Sequence, residues 1–497
     1  MNILKKLSLG LVAASCLTAS YANTDIDSIN AKMPSGAMNG VAYLPDQSSL
    51  VYGQNVDTYF RPASTEKVIT ALAALLYLGP NYQIKTKLLV NNKAISSNGQ
   101  LYTKNGILDG DVEIEFRGDP TLKRTDLYNL IETLKKAGVQ RITGTLYLNY
   151  GYFNGHDYAQ GWSWDDLTKC FTAPPASIII DGNCASFQLE AKTIGGKVRA
   201  IIPDNVPILV DTSDLEVVAP SEFYGGCSLD MQRDSSNIYR LSGCIPVQKK
   251  EPMGLSVAIQ DPNEWGEKIV SSQVKKLNIR IDGGIKLTRK SKGVMVQYAS
   301  YMSQPLHVML RRCLLKSVNI IADSVAKTIG TKYYDRPANY YMSSIAIRNI
   351  LKKHNIDLGN ATIIDGSGLS PHNFITPRQM LNVLQFIKAN NNELHLIEML
   401  PVAGMSGTLG GRGSVMKAPL VKNVKAKTGT LEGVSNLAGF MTDSHGKLVP
   451  FVYFMNNLSY DEKTRQNLQA KRIARPHYNH ERMILEAIYN DQKFYKN

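Results

Sequence analysis

Apolar and polar positions change rhythm along the 497-residue chain. Residues 37–60 alternate in short bursts, as in Gly40-Val41-Ala42-Tyr43-Leu44, which predicts strands. A run from Ser64 to Leu78 follows, set between Arg61-Pro62-Ala63 and Gly79-Pro80. Proline before its start, Glu66 in the first turn and Gly-Pro at the end delimit one helix over about residues 64–78. Almost every position after Thr70 is apolar, so this helix is expected to be buried all round. Between residues 85 and 300 the texture becomes short β-branched and apolar runs separated by Gly, Asn and Asp turns. Val112 to Phe116, Ile142 to Leu148 and Val206 to Val210 are examples, and one helix stands out, Thr125 to Ala137. Helical periodicity returns in Pro305–Lys316, Ile320–Ile329, Tyr340–His354 and Thr376–Asn390. Two strands follow, Val424–Thr430 and Val434–Met441, with Glu432-Gly433 as the hairpin turn between them. Lys447–Met455 reads as a third strand, and nothing repeats at a fixed period.

This order, helical then β-rich then helical-plus-hairpin, describes an α/β (α+β) domain interrupted by an insertion. The chain is longer than one hydrophobic core usually serves, so two or three domains are expected. The boundaries fall at residues 23–85 and 300–497 for the split domain and 86–299 for a β-rich insertion of two nested parts. Residues 1–22 read as a secretory signal peptide. Met1 to Lys6 is basic, Leu7 to Ser20 is apolar and small, and Ser20-Tyr21-Ala22 offers a cleavage site before Asn23. The rival is a lipoprotein signal with Cys16 after Ala13-Ala14-Ser15, weaker because Ala stands where such signals usually carry Leu. After residue 22 no apolar run approaches the ~20 residues of a spanning helix, so the mature chain is expected to be soluble or peripheral.

Composition adds little: 43% hydrophobic and 20% charged residues are ordinary for a folded protein, and no cofactor class follows. The formal charge of +14 is spread without a long basic block. A diffuse positive field suits an envelope rich in carboxylates and anionic headgroups. The lack of a basic-aromatic patch argues against nucleic acid. Export makes disulfides possible. Cys170, Cys184, Cys227 and Cys244 could close two short bridges, 170–184 and 227–244, leaving Cys313 as a buried reduced thiol. The spacings resemble neither a zinc knuckle nor a redox pair, and no metal site is expected.

Three short motifs carry the candidate chemistry. Ser64-Thr65-Glu66-Lys67 has the Ser-x-x-Lys form, shared by four other tetrads here, beginning at Ser272, Ser324, Ser414 and Ser444. Ser64 is set apart by opening a buried helix, where backbone N–H groups are unpaired and the helix end is partly positive. Lys67 lies on the same face, where it opposes the dipole; a base for the serine is a reason to keep it there. Ser317-Val318-Asn319 falls between two helices. A plain alternative is that Ser317 caps the second of them. Lys427-Thr428-Gly429 occurs once, in a strand, with Lys427 and Gly429 on one face and Thr428 and Thr430 on the other. Glycine there suggests close approach by a ligand backbone, the plain alternative being a surface lysine on an edge strand.

The ordered set, Ser-x-x-Lys, Ser-x-Asn, Lys-Thr-Gly, is that of β-lactamases and penicillin-binding proteins. The chain resembles the class C low-molecular-mass penicillin-binding proteins, the D-alanyl-D-alanine carboxypeptidase/endopeptidase group of penicillin-binding protein 4 type. Further matches are Arg117-Gly118-Asp119-Pro120-Thr121-Leu122, Trp162-Ser163-Trp164-Asp165-Asp166, Ala173-Pro174-Pro175-Ala176, Asp365-Gly366-Ser367-Gly368-Leu369-Ser370 and Leu437-Ala438-Gly439-Phe440. The resemblance implies a penicillin-recognising, transpeptidase-like fold: an antiparallel sheet flanked by helices. It implies Ser64 as nucleophile, Lys67 as base, Ser317 as proton relay and Asn319 as orienting group. Lys427, Thr428 and Thr430 would hold the terminal carboxylate, Gly429 would let the peptide lie along the strand, and the N–H groups of Ser64 and Thr430 would form the oxyanion hole. Asp166 and Phe171 match an acid–aromatic pair that serves the diamino-acid side chain in relatives. Pro371 and Glu432 depart from the Arg and Gln of close relatives, so tolerance for that side chain is expected to differ. Peptidoglycan stem peptides and β-lactams are the implied partners, with no cofactor. Peripheral membrane association and a homodimer are compatible with the group, and the periplasm is the expected location.

Overall fold

The computed structural model describes residues 26–45, 51–224, 226–233, 236–248, 250–470 and 472–492. The signal peptide read over residues 1–22, with Cys16, lies outside the described residues. The chain's two ends build one five-stranded antiparallel sheet. Its strands are β1 (Met38–Tyr43), β2 (Tyr52–Gln54), β3 (Val424–Leu431), β4 (Val434–Thr442) and β5 (Leu448–Asn456), in the order β3-β4-β5-β1-β2. Period-two alternation divides its side chains between two cores. Val452 and Phe454 of β5 join the helices on one face, while Phe451, Tyr453 and Met455 join a second cluster on the other. The expected turn at Glu432-Gly433 closes the β3–β4 hairpin, with Gly433 at φ 70°.

The expected helices are present with small shifts: α1 (Lys67–Leu78), α2 (Leu306–Lys316), α3 (Asn319–Tyr334), α4 (Tyr340–Lys353) and α5 (Pro377–Ala389). A 3₁₀ turn, Ala63–Glu66, precedes α1, so the expected span begins in a tighter winding. α1 is buried from Lys67 to Leu75 and α3 from Asn319 to Thr331, as a helix walled in on all sides must be. Two helices were not foreseen at the C-terminal end, the short Glu462–Gln469 and the longer α6 (His477–Tyr489). Polar residues fill the first half of α6, and only its later Ile484, Leu485 and Ile488 form an apolar stripe.

The intervening segment is rich in strands, as expected, but carries more helix than the sequence suggested. A five-stranded sheet orders Ile285–Thr288, Leu146–Asn149, Val112–Glu115, Lys85–Asn91 and Met295–Met302. Arg124–Lys136 is the expected helix, but Pro262–Lys276 is a second, so the reading of one helix here is corrected. Its start was legible: Asp261 accepts the N–H groups of Asn263 and Glu264, and Pro262 stands at the first helical position. Its charged outer face masked the buried Trp265, Ile269, Val270 and Val274. Ile142–Leu148 breaks into two strands in different sheets, and the strand expected from Val206 starts at Leu209. Disulfides join Cys170 to Cys184 and Cys227 to Cys244, while Cys313 is a buried free thiol. Among the described residues no helix is long and apolar enough to cross a membrane.

Candidate active site

The three motifs meet where the turn before α1, the α2–α3 junction and β3 converge. Ala63 is fully buried with φ +49°, a left-handed conformation that costs a non-glycine residue energy and is held by its surroundings. That kink presents Ser64, half-buried, at the mouth of α1. Thr65 braces the turn, its Oγ1 donating to the Pro62 carbonyl at 2.7 Å. Lys67 is completely buried, and its Nζ donates to Ser64 Oγ at 2.8 Å, Asn319 Oδ1 at 2.7 Å and the Ser367 carbonyl at 2.6 Å. Three uncharged acceptors satisfy the amine without supplying a counter-ion. Burial lowers the pKa of Lys67; Cys313, Asp323, Asp365 and Glu66 oppose that shift.

A second serine–lysine pair stands opposite. Ser317 ends α2 in the left-handed conformation (φ 57°, ψ 41°) and does not cap α3, whose N-cap is Val318. Its Oγ accepts from Lys427 Nζ at 3.0 Å. Lys427 is fully buried in β3 and donates also to the Thr428 carbonyl at 2.9 Å, so the surface-lysine alternative fails. Burial first, and then the charge of Lys67, hold Lys427 well below the usual lysine range. Asn319 links the first pair to the intervening segment: Oδ1 takes Lys67, and Nδ2 donates to the Phe171 carbonyl at 2.7 Å.

The rest of β3 is placed by packing. Thr428 Oγ1 pairs with Thr408 Oγ1 at 2.8 Å, and Thr430 is exposed opposite Ser435. At Gly429 a Cβ would stand 2.5 Å from the Pro62 carbonyl and 3.2 Å from Ala63 Cβ. This glycine lets the strand close on the turn that bears Ser64. The sequence reading, which gave the space to a ligand backbone, found the close approach but not this partner.

Phe171 and Asp166 belong to a loop of the intervening segment. Phe171 enters the site through its carbonyl, with a side chain 46% exposed. Asp166 is not among the hydrogen-bond partners of Lys67 or Lys427; its carboxylate pairs with Lys169 Nζ at 2.6 Å, and Lys169 lies 5.9 Å from the Phe171 ring centroid. Pro371 is half-buried beside the Asp365–Ser370 loop, and Glu432 is exposed at the hairpin tip. Sequence reasoning missed the buried Glu66, Asp323 and Asp365 around Lys67 and the Arg412–Glu481 pair under Ser435. Ionisable residues inside apolar helices were the available signal for Glu66 and Asp323.

A hydroxyl held by a buried lysine, beside a second hydroxyl held by another, can be deprotonated, attack a carbonyl and return a proton to a leaving group. Lysine-assisted serine hydrolases are the class this sheet, its helices and these paired contacts describe. The model of the D-Ala-D-Ala carboxypeptidase 3 (S13) family matches residues 22–475, and the chain belongs to that family of serine D-Ala-D-Ala carboxypeptidases. D-alanyl-D-alanine carboxypeptidase DacB of Haemophilus influenzae is 39% identical over 482 residues, covering 96% of this chain and 97% of that protein. The crystal structure of penicillin binding protein 4 (dacB) from the same organism superposes with a TM-score of 0.85 at 39% identity, over 94% of this chain and 99% of that one. A structure of that protein complexed with a β-lactam gives a TM-score of 0.81 at 37% identity over the same shares.

Proposed function

We propose that Ser64 is the acylated nucleophile of a periplasmic enzyme that trims terminal D-Ala from peptidoglycan stem peptides and cleaves the matching cross-links. The contact that carries this reading is Lys67 Nζ at 2.8 Å from Ser64 Oγ. Neutral Lys67 takes the Ser64 proton as Oγ attacks the penultimate D-Ala carbonyl carbon. The oxyanion lies against the N–H groups of Ser64 and Thr430. Ser317, held by Lys427, passes a proton to the leaving amine; Asn319 orients Lys67; and water releases the acyl group. Lys427, Thr428 and Thr430 receive the terminal carboxylate, and the peptide adds along β3 beside Gly429. β-Lactams enter the same path and stay as acyl adducts, as expected from the complex formed by the Haemophilus relative.

Residues 1–22 then serve as the export signal. Residues 23–85 and 300–497 form the catalytic domain, and residues 86–299 the two-part insertion. The disulfides suit an oxidising compartment. Asp166 and Phe171 flank the substrate side chain. Lys169 already pairs with Asp166, Pro371 offers no cation and Glu432 adds an anion, which favours an amidated or zwitterionic terminus over a free carboxylate. Peripheral membrane attachment and dimer formation are further expectations, read out by membrane fractionation and light scattering.

Labelling with a fluorescent penicillin tests the core claim. Wild type is expected to retain the label through denaturation and Ser64→Ala to lose it; equal labelling of both would overturn the assignment. Digestion of purified muropeptides ranks D-Ala release against cross-link cleavage.

A further inference from the structure

Three buried carboxyl groups surround Lys67: Glu66 beside it in sequence, Asp323 on α3 and Asp365 in the loop before α5, at 1%, 0% and 3% exposure. Their partners differ. Asp365 accepts four hydrogen bonds, from the N–H groups of Gly368 and Ser370 at 2.7 Å each, from Trp162 Nε1 at 2.8 Å and from Asn373 Nδ2 at 3.0 Å. These four donors leave neither oxygen of Asp365 without a partner. Asp323 takes the Gly366 N–H on Oδ1 at 2.8 Å and has the Ser367 hydroxyl beside it. Glu66 takes no hydrogen bond on either oxygen among the described residues. A buried carboxylate without a donor is far costlier than a buried neutral acid in the same place.

Charge balance leads the same way. Glu66 is faced by Lys67, Asp323 and Asp365. Lys67 is faced by these three carboxyls, by the Cys313 thiol and by Lys427. Burial pushes Cys313 up to about 11, so it stays neutral. Were all three carboxyls ionised, their joint charge would hold Lys67 as ammonium, unable to accept the Ser64 proton. Burial, then Asp365 and Asp323, push the Glu66 carboxyl well above its usual range. Burial and Asp365 push Asp323 upward as well, but the Ser367 hydroxyl, the charge of Lys67 and the Gly366 N–H pull it back. Buried Lys327 faces it too. Asp323, unlike Glu66, therefore has hydrogen-bond partners for its ionised form.

We propose that Glu66 is a neutral carboxylic acid in the working enzyme, and that Asp323 is a positioning residue whose charge sets the pH at which Lys67 becomes a base. The pH profile of acylation by a fluorescent penicillin, which rests on Ser64 being the nucleophile, tests both halves. Glu66→Gln is expected to keep the rate within about twofold and leave the acid limb in place, because a neutral amide replaces a neutral acid. Asp323→Asn, which keeps an oxygen for the Gly366 N–H, is expected to move the acid limb down by about one pH unit. An acid limb that moves in Glu66→Gln, or stays in Asp323→Asn, overturns the corresponding half.

Thermal unfolding gives a readout independent of acylation. The Glu66 carboxyl is raised above its unfolded value of 4.5, so the folded chain keeps a proton that the unfolded chain releases. Stability from this group is therefore full below the unfolded value and declines as pH rises toward the folded one. Glu66→Gln removes that decline. Its Tm is expected to exceed wild type at about pH 7.5, with the gain vanishing near pH 4. A gain independent of pH, or a loss at about pH 7.5, sinks the neutral-acid assignment. The converging Tm curves without any penicillin label would instead place the fault in the proposed function.

Discussion

Gly429 has no room for a methyl group, because a Cβ there meets the Pro62 carbonyl at 2.5 Å. Backbone oxygen cannot step aside as a side chain can, so Gly429→Ala must push β3 off the Ser64 turn. The expected cost is about 1–3 kcal/mol in urea unfolding, with at least a tenfold drop in the rate of penicillin acylation. An unchanged rate would mean that the strand and turn adjust freely. The same residue marks how far local reading reaches. Glycine within a strand signals close approach, but Pro62, on the other side of the insertion, could be named only from the fold. Ser64 and Lys67 were easier, since one helical turn separates them and their 2.8 Å contact is local geometry.

Among the elements, α6 does the least visible work. Glu481 on this helix receives a bidentate contact from Arg412 and a further bond from Ser414, all buried. Arg412 also donates to Ser435 Oγ at 2.8 Å, and Ser435 pairs with Thr430 across the β3–β4 hairpin. The Arg412–Glu481 pair therefore ties α6 to the strand that borders the site. Arg412→Met strands a buried carboxylate and is expected to cost about 3–5 kcal/mol. Arg412→Met with Glu481→Leu is expected to recover most of that loss, as replaced buried pairs commonly do. Denaturant midpoints of both variants provide the check, and equal losses would mean that the charges are not coupled. α6 escaped the sequence because its polar half resembles a surface segment; only the packed sheet supplies the cavity that makes those polar groups internal.

Across the whole molecule, the intervening segment reaches into the site through one loop. The Phe171 carbonyl holds Asn319, Trp162 holds Asp365, and the Pro175 carbonyl takes buried Lys327 at 3.0 Å. Cys170–Cys184 staples this loop to its own sheet, while Cys227–Cys244 staples a different strand pair. Their sequence separations, 14 and 17, are similar, so removal of either is expected to cost a comparable ~3 kcal/mol in the chain-entropy account. Only Cys170→Ser with Cys184→Ser is expected to raise KM several-fold, because it frees the Asn319 support. Equal KM effects from the Cys227→Ser/Cys244→Ser pair would show that the loop is held by other means.

The sequence by itself determined what depends on near neighbours: the helix that opens at Ser64, the Lys67 beside it and the β3–β4 hairpin, with the two short disulfides legible as possibilities. These follow from periodicity, turn chemistry and the reach of a few residues of chain. Tertiary structure alone decided what depends on distant segments arriving together. Lys67 meets Asn319 across 252 residues, and Lys427 meets Ser317 across 110. Ser317 was freed from its capping alternative, Asp166 was found already paired with Lys169, and Glu66 was found buried with no hydrogen-bond partner among the described residues. Burial and charge balance are sums over everything packed around a group, and the order of residues along a chain does not contain that sum.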